Sequence, residues 1–102
     1  RWINELQKIQ STLVVVLFGS VLRKSEEAKD IDALIVVSQK EFDNVKKIIQ
    51  EINALNDKKI HPIYQSKEDL RKNIKKEDKV ILNAIKGVVV SGEDTFIEVL
   101  QR

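Results

Sequence analysis

Two apolar runs constrain this chain more than anything else in it. One is Leu13, Val14, Val15, Val16, Leu17 and Phe18; the other is Ala33, Leu34, Ile35, Val36 and Val37. Runs this short and this rich in β-branched residues read as strands buried on both faces. The informative part is how they end. The first stops at Gly19-Ser20, and the second is entered through Asp30-Ile31-Asp32. Side chains alternate along a strand, so Asp30 and Asp32 share one face with alpha carbons about 6.6 Å apart. Leu34 and Val36 continue that face, while Ile31, Ala33, Ile35 and Val37 take the other. Two carboxylates at the mouth of a core strand repel each other, and need water, a cation or hydrogen bonds to stay ionised. Magnesium meets that need, because it takes hard oxygen ligands and is usually shared between carboxylates, water and substrate phosphates. By itself, Asp-x-Asp more often marks a turn cap followed by a solvated strand start.

The end of the first run adds a second component. Gly19 lets the backbone turn sharply and be approached closely, and Ser20 is suited to cap a short helix over residues 21–23. Backbone N–H groups at such a helix start, with a hydroxyl beside them, form an anion site. Alone, a strand-Gly-Ser-helix is a tight turn. It is not a phosphate loop with Gly-Lys-Ser/Thr, and its single glycine excludes the dinucleotide fingerprint. An anion cradle closing one strand and a carboxylate pair opening the next are nevertheless the two halves of a metal–nucleotide site.

The string Phe18-Gly19-Ser20, nine residues, then Asp30-Ile31-Asp32-Ala33 resembles the signature of the DNA polymerase beta-like nucleotidyltransferase superfamily, and the short chain is most similar to its minimal members. The resemblance runs from about Leu13 to the strand near Tyr64. It implies that Gly19, Ser20 and Arg23 contact the triphosphate of a nucleoside triphosphate, ATP first among them, and that Asp30 and Asp32 bind one or two Mg2+ ions. Val21 stands where relatives often carry a second arginine, and Lys29 where they often carry serine. Relatives also supply a third acid from the third strand. Here no Asp or Glu lies between Lys58 and Lys67, and the position falls on His61. A neutral imidazole can accept a proton near neutral pH; the plainer reading is a strand histidine with a local hydrogen bond. Minimal members are often antitoxins that add AMP to a helical HEPN-type protein, so the resemblance also implies such a partner.

Elsewhere the pattern is architectural. Trp2, Ile3, Leu6 and Ile9 recur at helical spacing and predict an amphipathic helix over residues 2–10. Ser38-Gln39-Lys40-Glu41 reads as a capping box, followed by an apolar stripe of Phe42, Val45, Ile48, Ile49, Ile52 and Leu55. Residues 58–65 form a third strand which Pro62, having no N–H to donate, sends to a sheet edge or a bulge. Ser66 opens another helix; Val80, Ile81, Ala84 and Ile85 mark a further one closed by Gly87 as its cap. Val88, Val89 and Val90 make a last short strand, and Phe96, Val99 and Leu100 the face of a closing helix.

With 102 residues, the chain supports one domain over residues 1–102. The expected fold class is α/β (α+β): a small mixed sheet of three or four strands with helices mainly on one face, leaving the other face open for a nucleotide. Hydrophobic residues at 42% and charged ones at 33% exclude a disordered chain. The absence of cysteine excludes disulfides and thiolate zinc sites and fits a cytoplasmic protein. A net charge of +2 with interleaved signs argues against nucleic acid as partner. No apolar run reaches membrane-spanning length, and oligomerisation stays open. The functional expectation is therefore a Mg2+-dependent nucleotidyltransferase, with a catalytically inert interaction module of the same fold as its rival.

Overall fold

The computed structural model describes residues 2–19 and 30–101. Its elements are α1 (Trp2–Gln7), β1 (Thr12–Phe18), β2 (Asp30–Val37), α2 (Phe42–Leu55), β3 (Lys59–Gln65), α3 (Lys67–Lys75), α4 (Lys79–Ala84), β4 (Val88–Ser91) and α5 (Glu93–Leu100). The four strands form one sheet in the order β3-β2-β1-β4. β1 pairs antiparallel with both β2 and β4, whereas β2 and β3 run parallel. The sheet is therefore mixed, as expected, and α2 makes the crossover that a parallel pair requires. Pro62 lies in β3 at the sheet edge, where its missing N–H removes no bond from a second neighbour.

The central strands β1 and β2 are buried on both faces, and alternation sorts their side chains into two cores. Ile31, Ala33, Ile35 and Val37 pack with Leu6, Ile9 and the α2 residues Val45, Ile49 and Ile52. Leu34 and Val36 pack on the other side with Val14, Val16 and Phe18 of β1, Leu70 of α3, Ile81 and Ala84 of α4, and Phe96 and Val99 of α5. Each buried aliphatic side chain contributes roughly 1.5–3 kcal/mol relative to exposure. Helices thus cover both faces, more evenly than the expectation of one helical face and one open face. The reason is that β2 alternates large apolar residues on both sides, so neither side can be left to water.

Several local expectations shift. The first helix ends at Gln7 rather than Gln10, and Thr12 Oγ1 donates to the Ile9 carbonyl at 3.0 Å as the chain turns into β1. Ser38 does not cap α2: Glu41 holds the N-cap position without a side-chain bond, because residues 38–41 are spent on a turn in which Glu41 N–H donates to Ser38 O at 3.0 Å. Ser66 does cap α3, its Oγ accepting from Asp69 N–H at 3.0 Å. The cap of α4 is Ile85, not Gly87. Gly87 instead lets two backbones meet, since a Cβ there would fall on the Leu17 carbonyl oxygen. In α5, Phe96 and Val99 are buried but Leu100 is 43% exposed.

Burial also sets a testable property of the one tyrosine. Tyr64 packs edge-on against Phe42 with ring centroids 4.9 Å apart, and burial pushes its phenol above the usual value of 10.0. Because the folded-state value is raised, this contribution to stability is fully present below the unfolded phenol's pKa and is lost as pH rises through the folded one. A spectrophotometric phenolate titration is expected to show a midpoint above that of a free tyrosine, falling back to it in denaturant. A midpoint equal in both would contradict the packing.

Candidate active site

The site is built at the end of the sheet where β1 finishes and β2 begins. Phe18 pairs with Asp32 across the antiparallel ladder, which brings the turn at Gly19 against the Asp32 side chain. Gly19 has φ +81°, and a Cβ built on it would lie 2.5 Å from Asp32 Oδ2. Only glycine relieves both problems at once: it adopts the left-handed conformation without penalty and leaves room for the carboxylate. Asp30 is exposed, Asp32 half-buried and Ile31 between them fully buried. The alternation therefore holds, and the two acids share the face continued by Leu34.

β3 enters the same site through its parallel register, in which Asp30 aligns with Lys59 and Asp32 with His61. Two anchors fix that register. Asn53 of α2 donates from Nδ2 to the Ile60 carbonyl at 3.0 Å and accepts the Ile60 N–H on Oδ1 at 2.7 Å. Lys59 Nζ donates to the Asn53 and Asn56 carbonyls at 2.5 and 2.6 Å, satisfying the carbonyls that a helix end leaves open and complementing its dipole. Pro62 restricts His61 before it to extended backbone. So held, His61 places Nε2 2.9 Å from Asp30 Oδ1. Side-chain exposures of 56% for His61 and 65% for Asp30 mean that this contact adds little to stability; its effect is on orientation.

The structure thus brings together Gly19, Asp30, Asp32 and His61. Ser20 and Arg23, with the expected helix over residues 21–23, lie outside the described residues. The Asp30–His61 contact and the Lys59 anchor had no separate signal in the chain, since they depend on register between strands far apart in sequence. Among the described residues, no group of three or more His, Cys, Asp or Glu side chains could hold a metal ion by itself. The Mg2+ implied by the motif still fits Asp30 and Asp32 as partial ligands, because magnesium commonly takes one or two carboxylates and completes its shell with water and phosphate oxygens. It does not fit as a fully protein-caged ion.

A cavity of about 880 Å³ lies elsewhere, lined by Leu13, Val37, Phe42, Tyr64, Gln65 and Lys72 among others. Val37 and Gln65 are the last residues of β2 and β3, so it sits at the opposite end of these strands from Asp30. Its acids, Glu68 and Asp69, belong to the first turn of α3, where they complement the helix N-terminus. This hollow is therefore not where the paired carboxylates are.

No helix among the described residues is long and apolar enough to cross a membrane. No curated protein and no solved structure matches the chain. Residues 2–86, however, match the family described as polymerase beta, nucleotidyltransferase. The match includes β1, Gly19, β2 and β3 with His61, and it covers most of the chain. The geometry at Gly19, Asp30 and Asp32 is thus set within a family assignment that the sequence carries independently, and the chain belongs to the polymerase beta nucleotidyltransferase family.

Proposed function

We propose that this chain is a Mg2+-dependent nucleotidyltransferase that moves a nucleoside monophosphate group, AMP from ATP, to a hydroxyl of a protein or small-molecule acceptor. The observation that carries this reading is the packing of Gly19 against the Asp32 carboxylate, with Asp30 on the same face. It sets the end of β1 beside two carboxylates, which supports a site where phosphate and metal meet. Gly19 and Ser20 receive the triphosphate, Arg23 neutralises part of its charge, and Asp30 and Asp32 would hold the Mg2+ ion. The bound magnesium supplies charge neutralisation on the phosphoryl oxygens. A bond forms between the acceptor oxygen and the α-phosphorus, the bond from that phosphorus to the bridging oxygen of pyrophosphate breaks, and the hydroxyl proton passes to solvent or a nearby base. Most of the rate enhancement comes from positioning and electrostatics, so the lack of a carboxylate in β3 does not forbid turnover. A helical HEPN-type protein is the acceptor this reading favours, with the chain as its cytoplasmic antitoxin.

One observation favours the rival of an inert interaction module: the β3 residue in register with Asp32 is His61, and β3 carries no acid. Incubation with Mg2+ and ATP labelled at either the α- or the γ-phosphate separates the two. The enzyme reading predicts covalent label on an acceptor protein from α-labelled ATP only, with pyrophosphate released. Intact nucleotide binding with no transfer to a HEPN-type partner would leave the inert module as the better account.

A further inference from the structure

Resting on that functional reading, we infer that His61 is a positioning residue that orients the Asp30 carboxylate for metal-bound nucleotide. A carboxylate only accepts, so a bond between His61 Nε2 and Asp30 Oδ1 at 2.9 Å requires the proton to sit on Nε2. In the neutral ring that proton is spent on Asp30, and Nδ1 is the nitrogen without one.

The surroundings make His61 suited to the orienting task. Its backbone is held extended ahead of Pro62, and the residues before it are tied to α2 through Asn53 and Lys59. Asp30, by contrast, is the first residue of β2 and mostly exposed, so its side chain would otherwise sample several rotamers. Fixing Oδ1 against the imidazole would leave the other carboxylate oxygen of Asp30 for a metal ion. Partners in this outer position, behind a ligating group, typically change metal affinity by about 10- to 100-fold when removed.

Glutamine isolates the hydrogen bond, because its Nε2 can donate to Asp30 whereas alanine offers no donor. Calorimetric titration of Mg2+–ATP into the native chain, His61→Ala and His61→Gln, each checked for fold by circular dichroism, is the test. His61→Ala is expected to bind at least about 10-fold more weakly, and His61→Gln to stay near the native affinity. Nitrogen-detected NMR of the single histidine in metal-free protein is expected to show the proton on Nε2, a readout independent of nucleotide. The proposal is overturned if the neutral ring is protonated on Nδ1, if His61→Gln is as weak as His61→Ala, or if His61→Ala binds as well as the native chain. That last result would remove only the role of His61; no binding by the native chain would remove the functional reading and this inference with it.

Discussion

Gly19→Ala is expected to destabilise the fold by about 1–3 kcal/mol, the usual range for a side chain forced into left-handed backbone, and to weaken Mg2+–ATP binding as well. Two separate strains act at this position. The positive φ of +81° penalises any Cβ, and that Cβ would also press on Asp32 Oδ2 at 2.5 Å. The first strain acts on stability alone; the second displaces a carboxylate of the site. A double-mutant cycle with Asp32→Ala distinguishes them, since groups in contact show coupling that distant groups do not. In chemical denaturation, Gly19→Ala is expected to cost less in the Asp32→Ala background than in the native one, because the clash is gone while the backbone strain remains. Equal costs in both backgrounds would mean that the close approach of Gly19 to Asp32 has no energetic content.

What could be read from the chain and what could not follow a physical division. The central strands were legible because double-sided burial leaves an uninterrupted apolar run, and the shared face of Asp30 and Asp32 follows from strand alternation alone. Pro62 announced an edge because a proline cannot serve two neighbours. The Ser66 cap was legible because capping is local chemistry. The failures come where the deciding partner is remote. Ser38 looks equally good as a cap, but the turn that precedes α2 uses those residues for backbone bonds instead. Gly87 follows a helix and so resembled its cap; its real constraint is the Leu17 carbonyl, many residues earlier. The distribution of helices over both faces was hidden for the same reason, since the stripes of α3, α4 and α5 say that each has a buried side and not which face of the sheet buries it.

The site shows the same division. Gly19, Asp30 and Asp32 form a local pattern and were named from it, and strand pairing brings Gly19 against Asp32. His61 was named only as the residue standing where relatives carry a third acid; its register with Asp32 and its contact with Asp30 were not legible, the latter because it depends on a diagonal reach between parallel strands. Ser20 and Arg23 lie outside the described residues and rest on the motif.

The Asp30→Asn/Asp32→Asn variant carries the other large expected effect. Asparagine keeps the size and the strand propensity nearly unchanged, and neither aspartate lies in the two apolar cores. The fold is therefore expected to survive. What disappears is the negative charge through which the proposed site would hold magnesium. Losing one partner of a buried hydrogen-bonded charge pair costs about 2–5 kcal/mol, the exposure of Asp30 and half-burial of Asp32 put this site at the lower end, and each 1.4 kcal/mol is a factor of ten in affinity. Even the lower bound corresponds to roughly a 30-fold loss, and removing both carboxylates should take binding below detection.

Titration calorimetry of ATP into the native chain and this double variant, with and without Mg2+, therefore bears most directly on the central claim. The account predicts binding by the native chain that requires Mg2+, and none by a double variant whose circular dichroism is unchanged. Binding that is indifferent to Mg2+, or a folded double variant that binds as well as the native chain, would contradict it.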